Sequence, residues 1–294
     1  MRLYPFIEAE EDEQRDVAPA CRLLEVSRSA YYAWAAHTPS ERERADACLA
    51  ETIKGIHGDS RGTYGSPRVH AELKEAGVSC GRKRVARLMR KAGLVGVSPR
   101  RFKATTIQDP EAAAAVDLVK RAFGPGTVEL DTLWCGDITY VRTWEGWLYL
   151  ATVIDVGSRA VVGWAMADHM RASLVCDALT MALEQRHPGP LVFHSDRGSQ
   201  YTSGDYATLC RRHNITQSMS RPGQCWDNAV AESFFAALKN ELVYRSVFAS
   251  RAQARRAIFE YVEAFYNRRR RHSSLGYRSP ASYEAERRAR KEVA

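Results

Sequence analysis

The chain has 294 residues, a formal net charge of +8 and a pI near 9.2. Its hydrophobic share of 45% and aromatic share of 10% suffice for a core, which excludes a wholly disordered or fibrous protein. The length suits a catalytic domain of roughly 150 residues with a smaller module, and the charge favours a polyanionic partner, because neutralised phosphates release counterions.

The seven cysteines are scattered and odd in number, with no Cys-x-x-Cys pair. This spacing argues against a disulfide framework and gives little support to a structural zinc site. The N-terminus lacks the positive-then-apolar order of a signal peptide, and the longest apolar stretch, around 147–154, is far short of a membrane span. We therefore expect a soluble protein of the reducing cytoplasm.

The N-terminal third predicts two helical units. Residues 17–34 show apolar spacing, a break and then Ser27 as a candidate N-cap, which predicts a short helix-turn-helix segment within 1–40. A second helix-turn-helix-like domain is predicted over 41–103, with Gly77 as a stop signal. Its helices are expected at 49–57, 68–75 and 82–92.

The last of these helices is strongly basic. Val85, Leu88 and Met89 share one face that can meet a core, which leaves the cations outward or flanking. A cationic helix after a tight turn is typical of a DNA recognition helix, and a helical bundle with a charged surface explains the pattern equally well. The candidate DNA contacts on this helix are Arg82, Lys83, Arg84 and Arg87. A linker is expected over 104–128.

The remainder of the chain predicts an α/β domain. Three β-rich runs separated by turn signals predict three antiparallel strands, at 134–141, 147–155 and 160–167.

Helices and strands then alternate, beginning with a helix over 172–186 and a strand over 191–194. A capping box from Thr202 to Asp205 predicts a second helix, and a strand at 215–219 and a long helix at 227–243 follow. This order predicts a mixed five-stranded sheet with helices packed on it, spanning 129–286 and followed by a basic tail at 287–294.

Three acids stand out against this framework. Asp137 lies within the first strand, where an aspartate is costly to desolvate unless something compensates. Asp196 follows the strand at 191–194, at a carboxyl end where sites gather in open α/β sheets. Glu232 lies in the first turns of the last helix, off its apolar stripe of Val230, Phe234, Leu238 and Leu242.

Carboxylates gathered at strand ends suit hard divalent cations such as Mg²⁺. A pair of such ions would clamp the attacking and leaving oxygens of an in-line displacement. For each acid taken singly, a helix cap or a surface charge is the alternative interpretation.

Four segments carry a more specific pattern: DITYVRTWEGWLYLATVIDVGSRAVVGWAM, HSDRGSQYTS, SMSRPGQCWDNAVAESFFAALKNEL and FYNRRRRHSSLGYRSP. They closely resemble the second-frame protein of the IS-three family of bacterial insertion-sequence transposases, and the likeness runs from about residue 17 to 283. The resemblance implies a ribonuclease-H-like catalytic core of the retroviral integrase type behind an all-α helix-turn-helix region.

The resemblance also implies a DDE set of acids with 35 residues between the second aspartate and the glutamate, and 35 residues separate Asp196 from Glu232. It assigns catalysis and metal binding to Asp137, Asp196 and Glu232, with Mg²⁺ or Mn²⁺ as a pair of ions. The family's basic residue seven positions after the glutamate is Lys239, on the same helix face as Glu232. A plain surface pair is the alternative for Lys239.

Further DNA contacts are implied at Gln200, Tyr201 and Asn228, although helix capping explains Asn228 and its neighbour Asp227 as well. The basic run Arg268, Arg269, Arg270 and Arg271 favours a protein that holds long duplex DNA. Asp155 is either a fourth carboxylate near the site or a strand-end hydrogen-bonding group. For His194, packing or a supporting hydrogen bond is favoured over metal ligation.

The expected partners are double-stranded DNA, as terminal inverted repeats and as target, and the family's first-frame (OrfA) protein or its fusion with this chain. A homo-oligomer on DNA and association with the bacterial nucleoid are also expected. Two other functions stay open from the residues. One is a non-catalytic DNA-binding regulator, and the other is a ribonuclease-H-type nuclease that only hydrolyses.

Overall fold

A computed structural model describes residues 3–36, 39–98, 127–219 and 229–293 of the chain. Asp227, Asn228 and most of the predicted linker lie outside the described residues. Within these ranges no helix is both long and apolar enough to cross a membrane.

The first helices are α1 (Leu3–Asp12), α2 (Val17–Leu23) and α3 (Arg28–Ala35). They pack around a small core of their own, made by Ile7, Val17, Cys21 and Tyr31. Ser27 caps α3 by accepting a hydrogen bond from the backbone N–H of Ala30, as predicted. Helix α1 was not predicted, because Ile7 is its one buried residue and acids surround it.

The next unit consists of α4 (Glu41–Asp59), α5 (Ser66–Glu75) and α6 (Arg82–Lys91). Helix α4 begins eight residues before its predicted start at 49, because Ser40 and Glu43 form a capping box at its N-terminus. Gly77 has a φ of +77°, the left-handed conformation expected of a stop signal.

These helices do not have a core to themselves. Leu73 and Val85 belong to the same buried cluster as Leu148 of the sheet and Phe234 of the long catalytic helix. The helix-turn-helix-like region and one face of the sheet are therefore packed as one body.

A mixed five-stranded sheet follows, as predicted. Its strands are β1 (Leu133–Thr143), β2 (Gly146–Asp155), β3 (Val161–Ala167), β4 (Leu191–Ser195) and β5 (Ile215–Met219). Strand β1 lies at the centre of the sheet, antiparallel to β2 and parallel to β4, and the strand order is β3-β2-β1-β4-β5.

Helices cover both faces of the sheet. Helices α7 (Ala172–Arg186) and α8 (Gly204–Arg212) share a core with one face. On the other face lie α9 (Ala229–Glu241) and α10 (Arg251–Phe259), and α10 continues into a π-helical segment (Glu260–Tyr266).

Two predictions at helix ends were wrong. The N-cap of α8 is Ser203, because its hydroxyl accepts from the backbone N–H of Tyr206, whereas the hydroxyl of Thr202 donates to carbonyls of the preceding turn. Residues 287–293 are not a tail but the second half of helix α11 (Pro280–Val293). Their arginines pair with acids, among them Arg287 with Glu129.

Strand β1 has an open edge beside the candidate site. Its pairing with β4 covers only Leu133, Trp134 and Cys135, while β2 accompanies β1 through to Thr143. Among the described residues, positions 136–143 of β1 thus have no strand on the β4 side.

Candidate active site

Asp137 lies where β1 emerges from its pairing with β4. It is partly buried on the α9 side of the sheet, and its carboxylate accepts a hydrogen bond of 2.8 Å from the backbone N–H of Ile138. The pKa of Asp137 is raised to about 7, chiefly by burial and also by the charges of Asp196 and Glu232, while the hydrogen bond from Ile138 and the charge of Lys239 lower it. The chain thus keeps a carboxyl group in a place that disfavours its charged form.

Asp196 and Glu232 lie on two other elements within electrostatic range of Asp137. Asp196 follows β4 directly and is exposed, with its Oδ1 accepting from the backbone N–H of Gly198 at 3.0 Å. Glu232 is exposed in the first turn of α9, and neighbouring protein desolvates its carboxyl enough to raise its pKa. From the ends of β4 and α9, the charges of both acids act on Asp137 of β1.

These acids interact electrostatically without forming a closed cage. Among the residues that the structure describes, no three His, Cys, Asp or Glu side chains are gathered closely enough to hold a metal ion as they stand. The donor chemistry nevertheless fits a hard divalent cation: the candidates are all carboxylates, and their mutual repulsion is what such an ion would relieve.

Lys239 brings a positive charge to this site. It lies two helical turns after Glu232 on α9, and its charge lowers the pKa of Asp137. Its Nζ also lies 5.5 Å from the centre of the Tyr140 ring. Lys239 is therefore placed beside the acids, and its contact with DNA stays a prediction.

Tyr201 is not available for the predicted DNA contact. Its side chain is buried, and its ring packs against Phe193 and Tyr206. A Cβ added at Gly136 would lie 3.1 Å from the Tyr201 hydroxyl and only 2.5 Å from Phe193, so these rings lie directly under the strand that carries Asp137. Tyr201 thus supports the position of the acid.

Gln200 remains at the surface of the loop after β4. It is partly exposed, and its Nε2 donates to the backbone carbonyl of Met170 at 2.9 Å. Its contact with DNA also stays a prediction.

Asp155 and His194 are structural groups. Asp155 is fully buried, where its carboxylate accepts from the backbone N–H groups of Asp131 and Ser158 and from the Ser158 hydroxyl. This selects the strand-end hydrogen-bonding interpretation. His194 is buried with its Nδ1 3.0 Å from the hydroxyl of Ser218 on β5.

Two of the four arginines at 268–271 are also structural, contrary to the prediction. Arg270 is 6% exposed and donates to both carboxylate oxygens of Glu241, at 2.6 and 2.7 Å. Tyr261 donates to Glu241 as well, and Arg68 of α5 lies 3.4 Å from it. We call Glu241, Arg270, Tyr261 and Arg68 the ionic hub. Arg271, largely buried, pairs with acids of α5.

The sequence analysis missed this hub, although a signal was present. Glu241 lies three residues after Leu238 and so continues the apolar stripe of α9. An acid on a buried stripe requires a buried cation, and the basic run at 268–271 supplies it.

Some of the remaining basic candidates form ion pairs, and others are exposed at the surface. Arg84 and Arg87 of α6 both pair with Asp46 of α4. Arg82, Lys83 and Arg268 are exposed, and Arg269 is exposed with Asp59 at 3.9 Å. The exposed cations are the ones that fit the predicted contact with phosphate.

Comparison with known families agrees with this architecture. The model of an integrase core domain matches residues 129–225, a second integrase core model matches 213–280, and the model of an HTH-like domain matches 43–102. Fold and matches define an integrase-type catalytic core joined to a helix-turn-helix-like domain.

Proteins that are similar in sequence identify a family within this class. The chain is 41% identical over 287 residues to the transposase InsF for insertion sequence IS3A of Escherichia coli (strain K12), covering 96% of this chain and 98% of that protein. It is 44% identical over 264 residues to the insertion element IS600 uncharacterized 31 kDa protein of Shigella sonnei, covering 90% and 96%. The catalytic core domain of BIV integrase matches 55% of this chain at 20% identity, with a TM-score of 0.41. The chain belongs to the IS3 family of insertion-sequence transposases, and its function is DNA transposition.

Proposed function

We propose that this transposase cleaves DNA at the ends of its insertion sequence and joins the freed 3′-hydroxyl to another phosphodiester, both at Asp137, Asp196 and Glu232. The observation that carries the proposal is the position of three carboxylates: Asp137 lies where β1 leaves its pairing with β4, Asp196 follows β4 directly, and Glu232 lies in the first turn of α9. The charges of Asp196 and Glu232 both act on Asp137. Three acids from β1, β4 and α9 thus act on one region of space beside an open strand edge.

The acid set is suited to hold Mg²⁺ or Mn²⁺, as a pair of ions. When bound, such ions polarise the phosphate and generate a nucleophile from water at neutral pH. The chain itself contributes placement. Burial of Asp137 fixes one carboxylate against the sheet, and the exposed Asp196 and Glu232 leave the site open to a DNA strand. Lys239 supplies a cation for the phosphate backbone.

DNA recognition is assigned to the exposed cations. Arg82 and Lys83 at the start of α6 are suited to a groove or to phosphates, and Arg268 and Arg269 to flanking duplex. Gln200, in the loop after β4, is a further candidate, and so is Asn228, which lies outside the described residues.

The test is a Mg²⁺-dependent cleavage and strand-transfer assay on the element's own end sequences. Asp137→Asn, Asp196→Asn and Glu232→Gln should each lower the rate more than about 100-fold. Loss of a group that only hydrogen-bonds to a metal ligand already lowers metal affinity or activity about 10–100-fold, and loss of the ligand itself should cost more. The matched controls are Asp177→Asn and Glu184→Gln, exposed acids on α7, which should retain wild-type rates.

Each other result has a defined meaning. Full activity in any of the three variants would remove that acid from the site. Cleavage without joining would favour a nuclease that only hydrolyses, and binding to the ends without cleavage would favour a regulator.

We further propose that recognition of the element ends requires fusion to the first-frame (OrfA) protein, and that the active species is a homo-oligomer on DNA in the cytoplasm, associated with the nucleoid. Gel shifts that compare this chain with the fusion on the same ends test the first point. Equal binding by the two would contradict it.

A further inference from the structure

Exposed aromatic side chains gather at the β1–β2 hairpin. Tyr140 is 55% exposed, Trp147 is 46% exposed, and Trp144 in the turn is 78% exposed. Large exposed aromatics are costly to leave in water, and a cluster of them marks a binding surface. This surface lies outside the acid set described above.

Tyr140 and Trp147 form an ordered pair. Tyr140 faces Tyr149 across the hairpin and Trp147 faces Arg142, so the two rings are diagonal neighbours on one face of the sheet. Their centroids are 5.0 Å apart with the planes at 80°, an edge-to-face contact. The hairpin is anchored as well, because Arg251 of α10 donates to the backbone carbonyl of Trp147. The ring pair is therefore supported both by its own contact and by the packing of α10 on the hairpin.

The surface is continuous with the acids through Lys239. Asp137 and Tyr140 lie three residues apart on β1, about 10 Å along a strand, and side chains at that spacing point to opposite faces. Lys239 connects the two faces, since its charge acts on Asp137 while its Nζ lies over the Tyr140 ring. Tyr140, which Lys239 contacts, lies in the part of β1 that β4 no longer pairs.

We propose that Tyr140, Trp147 and Lys239 form a binding site for an unpaired base and its phosphate, on the DNA strand that passes the acids. The chemistry fits, because aromatic rings stack on bases of any sequence while a nearby cation neutralises the backbone. A spacing of about 10 Å corresponds to about three steps of a DNA strand at 3.4 Å each, so the base is within a few nucleotides of the reacting phosphate. The proposal rests on the proposed function in one respect, namely that the bound strand is the DNA strand that the acids cleave or join.

The test measures binding in the absence of catalysis. The probes are a short oligothymidine single strand and an abasic strand of the same length and charge, with affinities measured by fluorescence anisotropy without divalent metal. Wild type should prefer the base-bearing strand. Tyr140→Ala and Trp147→Ala should each weaken oligothymidine binding about tenfold and leave abasic binding unchanged, since stacking is lost and charge is kept.

Matched variants separate stacking from other effects. Tyr140→Phe should keep the preference, because the ring remains. Phe259→Ala removes an exposed aromatic that packs on Trp164 at the far side of the sheet, and it should bind like wild type. Lys239→Ala should weaken binding of both probes alike.

Several outcomes would overturn the proposal. Equal loss on both probes in the Ala variants, or no loss at all, would exclude base stacking here. If Trp147→Ala instead converted a dimer to a monomer in sedimentation and left strand binding intact, the surface would be an interface between copies. The acid variants Asp137→Asn, Asp196→Asn and Glu232→Gln test the catalytic site separately. If they stayed active while the wild type still preferred the base-bearing strand, the proposed catalytic site would be refuted and the base-binding site would stand.

Discussion

Asp137 and Glu241 are both carboxylates shielded from water on the α9 side of the sheet, yet their pKa values are shifted in opposite directions. Burial alone would raise the pKa of Glu241, but hydrogen bonds and charge from Arg270, with Arg68 and Tyr261, hold it below its usual value. Burial raises the pKa of Asp137 to about 7, and its neighbours include two further acids. The charge of Glu241 is compensated by arginines of the protein, whereas the charge of Asp137 has weaker compensation and suits a bound cation.

This difference separates structure from function. The ionic hub joins α5, α9 and the segment after the π-helical turn, so its charges fix how the helix-turn-helix-like region sits on the helix that carries Glu232. Among the described residues, Lys239 is the cation whose charge acts on Asp137. An acid set with so little internal compensation is expected of a site that accepts a cation and a phosphate. Burial of a carboxylate thus does not by itself distinguish a structural group from a functional one. The distinction comes from whether the protein supplies the compensating charge.

The largest effect is expected from breaking the hub. Arg270→Met should lower the free energy of unfolding by about 3–5 kcal/mol, because it leaves the Glu241 carboxylate buried without its main partner. Urea denaturation followed by circular dichroism measures this.

The control is Arg268→Met, an exposed neighbour in the same basic run, which should stay within about 0.5 kcal/mol of wild type. The double variant Arg270→Met with Glu241→Leu should recover most of the loss, since no lone charge remains. A single variant as stable as wild type would mean that the hub does not hold the two regions together.

A smaller effect of opposite sign is expected at the acids. Asp137→Asn should raise the free energy of unfolding without metal by about 2 kcal/mol at pH 8, since the amide removes a charge that burial disfavours and water still reaches the group. The folded state binds the Asp137 proton more tightly than the unfolded chain, so the contribution of Asp137 to wild-type stability falls as pH rises from 3.8 to about 7. The advantage of the variant should therefore be small below that window and complete above it.

Thermal unfolding with and without Mg²⁺ completes this comparison. Mg²⁺ should stabilise the wild type and leave Asp137→Asn unchanged, because a ligand that binds only the folded state adds to its stability. Asp177→Asn is the matched control and should respond like the wild type. Equal stabilisation of all three proteins by Mg²⁺ would show that the ion does not bind at Asp137.

The sheet and the acid positions could be predicted from the sequence because each depends on local pattern. Alternating apolar residues bounded by turn signals located β1, β2 and β3 to within a residue or two. Asp137 stood out because an acid within an apolar strand contradicts that pattern. The spacing of Asp196 and Glu232 gained meaning only from the family resemblance.

The rest depended on contacts distant in sequence. Nothing local distinguishes Arg270 from Arg268, since only the fold shows that Arg270 meets Glu241, 29 residues away. Tyr201 stands in a polar loop segment and is buried because Gly136 leaves room for its hydroxyl. Helix α11 is mostly polar, and two of its arginines, Arg287 and Arg288, pair with acids that precede β1.

The smallest effect extends the comparison from acids to cations. Lys83 and Arg84 are neighbours at the start of α6, but Arg84 pairs with Asp46 while Lys83 is exposed and has no ion pair among the described residues. Lys83→Ala should leave thermal unfolding unchanged and reduce the slope of log affinity against log salt by about 0.9 for a short duplex, the loss of one phosphate contact. Arg84→Ala, the matched variant, should reduce that slope by less, because Asp46 already neutralises its charge. Equal reductions would mean that the Asp46 pair opens on DNA, and the distinction between cations used internally and cations left free would then fail for this helix.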